Sequence, residues 1–210
     1  MSFDPINPPY NSTDPNASFL SSSCLDFLLI EIVPMAYRVT NELAVEPESR
    51  TEDKDGQLQK GTGAAEVKRV LDEDEERDAV FYRLESLGYR VGQGLVERFS
   101  RDRPRFNDTL DAIKFLCKDL WMLVFRKQVD NLKTNHRGVY VLTDNAFRPF
   151  SRMSAEAGGQ AVLRAQPFLW FPCGIVRGAL AAMGITATVQ AETGELPGAV
   201  FQIKTVAGKA

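Results

Sequence analysis

Between Phe115 and Asn145 the chain passes from a helical hydrophobic period to a strand period with almost no connecting sequence. Leu110, Ile113, Cys117, Leu120 and Val124 recur at intervals of three and four, and Leu116, Trp121 and Leu123 widen the stripe. A helix this apolar is expected to be central and largely covered. Val129–Thr134 and Val139–Thr143 follow, flanking Asn135-His136-Arg137-Gly138, and read as a β-hairpin. A hairpin pairs antiparallel, so the fold must lay helices on an antiparallel sheet.

The flanking sequence extends this plan. A first helix is expected from near Ser18 to about Leu43, with Leu25, Leu28, Leu29, Ile32, Val33 and Ala36 as its apolar stripe and Pro34 as a kink. A second spans roughly Arg77 to Phe99, carrying Phe81, Leu84, Leu87, Val91, Leu95 and Phe99. Gly88 and Gly92 lie one turn apart inside it. Each costs a helix about 1 kcal/mol relative to alanine, so close approach of another backbone is the expected reason for both. Asn107 or Asp108 is placed to cap the third helix. A fourth helix is expected at about Pro167 to Met183, stopped by Gly184, and a second hairpin at Thr186–Glu192 and Ala199–Val206. The class is α+β: three helices, hairpin, helix and hairpin, with the strands in one four-stranded antiparallel sheet.

Composition marks the edges of this single domain, placed at residues 18–206. Residues 1–17 are rich in Pro, Asn and Ser and are expected to be a disordered tail, and residues 207–210 a second short tail. About 46–78 lies an acidic insertion with a net charge of −6, which leaves the rest of the chain at +3. It is expected to be solvated, with a short helix at Ala64–Leu71, and could serve for docking or simply as a loop. The overall charge of −3 gives no reason to expect nucleic acid. The first basic residue is Arg38, so the N-terminus does not read as a signal peptide. The apolar run Leu25–Tyr37 contains Asp26, Glu31 and Pro34 and is shorter than the ~20 residues of a membrane span.

Chemistry is hard to find. Cys24, Cys117 and Cys173 form no C-x-x-C pair and are expected to be buried free thiols of a reducing compartment. His136 is the one histidine, so any Ser-His-Asp or Cys-His site would depend on it, and no G-x-S-x-G elbow accompanies it. The acids of Asp72–Asp78 lack the alternating ligands and central glycine of a calcium loop. Gly88, Gly92 and Gly94 lack the preceding strand of a nucleotide loop. Catalytic residues, metal ligands and cofactors are therefore all expected to be none. Trp121, Phe168, Trp170 and Phe171 could line a pocket but are expected in the core.

Six segments carry a resemblance: Phe115–Trp121 (FLCKDLW), Leu132–His136 (LKTNH), Gly138–Asn145 (GVYVLTDN), Leu87–Gly92 (LGYRVG), Arg105–Thr109 (RFNDT) and Cys173–Leu180 (CGIVRGAL). Together they resemble the small-subunit family of TRAPP, the transport protein particle, and look most like its subunit 6 type. The resemblance implies a helix-rich α/β fold whose first two helices form a dimerisation face, and TRAPP subunit 3 as the heterodimer partner. It implies a non-catalytic scaffold among other TRAPP subunits, in a complex that tethers vesicles and exchanges nucleotide on a Rab GTPase. The Rab is reached only through the complex, because exchange belongs to other subunits. The setting implied is cytoplasmic, peripheral to Golgi and ER–Golgi membranes, with membrane contact indirect. The partner subunit of that family carries an acylated cysteine just before the third helix. Its place here falls at about Arg103, so no acyl chain is expected on this chain.

On that reading the candidate partner contacts are Leu25, Leu28, Ile32, Leu84, Leu87 and Val91, although these residues could equally pack on each other. The alternative function is carriage of an acyl chain or other apolar ligand in an inter-helix cavity lined by Phe115, Trp121 and Trp170. A third is an enzyme built on His136.

Overall fold

The computed structural model describes residues 21, 23–44, 71–101, 103–135, 137–153 and 159–206. The two expected tails, the acidic insertion up to residue 70 and His136 lie outside the described residues. So do the expected start of the first helix and all of the short helix at Ala64–Leu71 except Leu71.

The first helix, α1 (Ser23–Leu43), runs unbroken through Pro34. The second, α2 (Glu73–Phe99), begins a turn earlier than its apolar period suggests. Asp72 caps it, its carboxylate accepting from the Glu73 amide at 2.8 Å, and Glu73, Asp74, Glu75 and Glu76 fill the first turn. Acids are stabilising there because the free amides of a helix N-terminus carry partial positive charge. The end of the expected insertion is thus a helix start.

The expected third helix is α3 (Thr109–Phe115), a π-helical turn (Leu116–Leu120) and α4 (Trp121–Phe125). Asp108 caps α3, accepting from the Asp111 amide at 2.7 Å. Arg126, left-handed at φ 64°, ends α4. The hairpin β1 (Asn131–Thr134) and β2 (Val139–Asp144) follows. The Asn135 side chain accepts from the amides of Arg137 and Val139 and holds the link, and Gly138 takes φ +82°. A short 3-10 turn (Arg148–Phe150) and α5 (Gly159–Ala165) follow. A second 3-10 turn (Gln166–Leu169) leads into α6 (Trp170–Ala182), which stops at Gly184 with φ +79°. Finally β3 (Ala187–Glu192) and β4 (Ala199–Thr205) form the closing hairpin.

The four strands make one antiparallel sheet in the order β1-β2-β4-β3. Tyr140, Leu142 and Asp144 of β2 and Ala199, Phe201 and Ile203 of β4 alternate onto the buried face. There they meet Leu116, Leu120 and Trp121 from the third helical stretch and Val176 and Leu180 from α6. A second core, of Leu29, Ile32, Val33, Val80, Leu84 and Ile175, lies where α1, α2 and α6 stack. Part of the apolar face of α1 and of α2 is thus buried on the other helix and on α6.

Candidate partner interface

The seam between α2 and α6 is built from glycines on both sides. A Cβ on Gly88 would stand 2.1 Å from the Phe171 carbonyl oxygen, and one on Gly92 2.1 Å from that of Ile175. In return, Gly174 and Gly178 would press on the carbonyl oxygens of Glu85 and Tyr89 at 2.1 and 2.0 Å. Arg177, between these two α6 glycines, pairs with Glu85 through two nitrogens, one at 2.8 Å, and stacks 4.3 Å from the Tyr89 ring centroid. The Glu85 carboxylate raises the pKa of that guanidinium further, against burial. Two of the resembling segments, LGYRVG and CGIVRGAL, are therefore the two halves of one contact.

This seam fixes how α1 and α2 present their remaining surface. Ile32 and Leu84, 4 % and 1 % exposed, are closed inside the second core. Leu25 and Leu87 are half-buried at its rim. Leu28 and Val91, 51 % and 37 % exposed, face outward. Residues beyond the sequence-based set join them on the surface: Phe27, Ile30 and Met35 on α1, and Phe81 and Tyr82 on α2. A groove of about 510 Å³ lies between the two helices, lined by Met35, Val39, Ala79, Tyr82, Leu87 and Arg90 among others. Neither Met35 nor Tyr82 could be picked from the apolar stripe, because both lie off its axis.

The polar groups have structural partners. Asp144, fully buried, accepts from Trp121 Nε1 at 2.8 Å and from Lys127 Nζ at 2.6 Å, and Lys127 also reaches Asp130 at 2.7 Å. Burial opposes the charge on Lys127, but its bonds to the two aspartates outweigh this and raise its pKa. The Lys127 hydrogen bond and the Asn145 amide lower that of Asp130. Burial pushes the thiols of Cys117 and Cys173 up to about 12, so neither is a nucleophile at neutral pH. Cys24 departs from expectation: it is exposed, on the first turn of α1. Among the described residues no three His, Cys, Asp or Glu side chains could hold a metal, and no helix is long and apolar enough to cross a membrane.

Arg103 pairs with Asp119 at 2.8 Å and lies 4.8 Å from the Phe115 ring centroid. Of the three rings expected to line a ligand cavity, Trp170 lies in a different core from Phe115 and Trp121. Trp121 is packed among Phe125, Phe147 and Phe201, and Phe115 against Phe106. Trp170 belongs to the other core, edge-on to Phe81.

A family model described as transport protein particle (TRAPP) component matches residues 25–206. Trafficking protein particle complex subunit 6b of Danio rerio is 54 % identical over 121 residues, 58 % of this chain and 76 % of that protein. Subunit 6B of Homo sapiens is 52 % identical over 121 residues, 58 % of this chain and 75 % of that one. Among solved structures, a trafficking protein particle complex subunit 3 from Naegleria fowleri, covalently bound to palmitic acid, shares the fold. Its TM-score is 0.58 at 11 % identity, over 89 % of this chain and 97 % of that one.

Proposed function

The chain belongs to the TRAPP component family and is of the subunit 6 type, and from that premise we propose that it is a non-catalytic scaffold subunit that enters the complex by pairing with TRAPP subunit 3. The observation that carries this reading is the apolar surface left over on α1 and α2. Leu28, Met35, Tyr82 and Val91 stay exposed although the second core beneath them is already closed by Ile32 and Leu84. Exposed apolar side chains of this kind on neighbouring helices fit a permanent partner, because water is excluded from them only in the complex.

In this reading, vesicle tethering and nucleotide exchange on a Rab GTPase belong to the assembly, and this chain holds neighbours in place. It works at Golgi and ER–Golgi membranes, which it meets only through other subunits. Light scattering of the purified chain, alone and mixed with TRAPP subunit 3, tests the pairing. A 1:1 complex is expected, and two unchanged species would overturn it. The chain alone should leave Rab nucleotide release unaccelerated.

A further inference from the structure

The strand β3 forms one edge of the sheet. The Thr186 carbonyl accepts from the Val206 amide at 2.8 Å, and the pairing continues as Ala187 with Thr205 and Val189 with Ile203. Backbone direction alternates along an antiparallel strand. Thr188, Gln190 and Glu192 therefore turn their N–H and C=O groups to β4, while Ala187, Val189 and Ala191 turn theirs outward. Gln166 confirms this phase, its Nε2 donating to the outward Ala191 carbonyl at 3.1 Å. Among the described residues nothing bonds to the outward groups of Ala187 and Val189.

A cleft of about 620 Å³ lies along this strand and touches both of its faces: Val189 and Ala191 on one, Gln190 and Glu192 on the other. Since β4 closes the inner side of β3, a cleft reaching both faces passes around the free edge. On the buried-face side it is bounded by Phe81, Trp170 and Cys173, on the open-face side by Val200 and Gln202. It shares no lining residue with the α1–α2 groove. The opposite edge, β1, is shorter and carries Lys133 at its middle, a common protection against strand addition. Gln190, at the middle of β3, carries no charge.

We propose that the free edge of β3 docks an extended segment of a partner protein, which adds antiparallel to the sheet as a fifth strand. Unpaired backbone groups on a strand edge are matched in register by another strand, which displaces water from all of them at once, and side chains of period two suit a cleft with two sides. The residue opposite Val189 points to the side of the cleft that Trp170 and Phe81 line and is apolar, and the residue opposite Ala187 lies on the same face of the sheet. The alternate residues lie beside Glu192, the one ionisable carboxylate of a lining that holds no cation, and are basic.

The probe is a capped heptapeptide alternating lysine and valine, titrated into the ¹⁵N-labelled full chain. Binding should slow exchange of the Ala187 and Val189 amides. Backbone N-methylation of the valines, whose N–H groups would face β3, should weaken binding roughly tenfold or more, and N-methylation of the lysines should leave it unchanged. The reverse pattern would still support strand addition but overturn the antiparallel sense. Absence of binding at millimolar peptide, or equal effects of both modifications, would overturn the site. Val189→Pro removes the outward donor while leaving the bonds to β4, and because it also trims the Val189 packing on the core it should lower the melting temperature modestly and lose peptide binding. If it fails to fold, the methylated pair still decides.

Discussion

Gly88 on α2 and Gly174 on α6 meet backbone to backbone: a Cβ added to Gly88 would lie 3.0 Å from the Gly174 Cα and closer still to the Phe171 carbonyl. Backbone cannot swing aside as a flexible side chain can. Gly88→Ala or Gly178→Ala should therefore destabilise by about 1–3 kcal/mol or more, even though alanine is the better helix former. Gly94, on the same helix, has open space where its Cβ would be. Gly94→Ala should stabilise by up to ~1 kcal/mol. Urea unfolding of the three variants checks the opposite signs. A stable Gly88→Ala protein would mean that the helices stand further apart.

Arg177 and Glu85 form an ion pair across this seam, and the bidentate geometry and stacking on Tyr89 are specific to a guanidinium. Arg177→Lys keeps the charge and loses both features. It should cost about 1 kcal/mol, and Arg177→Ala about 1–2 kcal/mol. A double-mutant cycle with Glu85→Gln should show coupling. Strict additivity would make the pair a surface contact without energetic weight.

Much of this seam was legible because glycine inside a helix needs an explanation. Gly88 and Gly92 carried the expectation of a close backbone, and α6 supplies it. Other features were hidden for equally physical reasons. An acidic run such as Asp72–Glu76 reads the same whether it is solvated loop or a capped first turn, since charge favours both. The π-turn at Leu116–Leu120 leaves the apolar period almost intact. The stripe of α1 and α2 did not separate Ile32 and Leu84, sealed in the core, from Leu28 and Val91, which face out. Periodicity gives a helix face, and only packing says how far the neighbour covers it. Cys24 was misjudged because apolar residues next in sequence cover nothing at a helix start.

The cluster of Lys127, Asp130 and Asp144 should make stability depend on pH at both ends. Asp130 has a folded pKa below its ordinary 3.8. Its contribution is present above that value and is lost as pH falls through the lowered one. Lys127 has a folded pKa above its ordinary 10.5, so its contribution is present below that value and is lost as pH rises through the raised one. Lys127→Met should reduce the acid-side loss and remove the Lys127 part of the alkaline one. Melting temperature against pH measures both, and unchanged limbs in the variant would dissociate the cluster from stability.

Thiol reactivity should sort by position. Cys117 and Cys173 are buried, with pKa values near 12, whereas Cys24 is exposed. Iodoacetamide at pH 8 should add one group to the native chain and three in denaturant, read by intact mass. Rapid modification of Cys173 in the native state would show that the thiol is reached, either through the cleft it borders or by opening of α6.

The leftover apolar surface on α1 and α2 makes the sharpest division among the six candidate contacts. Leu84 is sealed against Val80 and Ile32 in the second core, so Leu84→Ala should cost about 2–5 kcal/mol whether or not a partner is present. Leu28 and Val91 touch water, so Leu28→Asp and Val91→Asp should change the stability of the free chain by only about 0.5 kcal/mol. If a helix of TRAPP subunit 3 covers them, each aspartate would be buried without a counter-ion. Association should then weaken at least about tenfold. Tyr82→Ala, at the mouth of the groove and 72 % exposed, should follow the same pattern. Calorimetric titration with the partner, set beside urea unfolding of the free chain, separates the two classes. Full-strength association by Leu28→Asp, Val91→Asp and Tyr82→Ala would move the partner off this face while leaving Leu84 as a core residue.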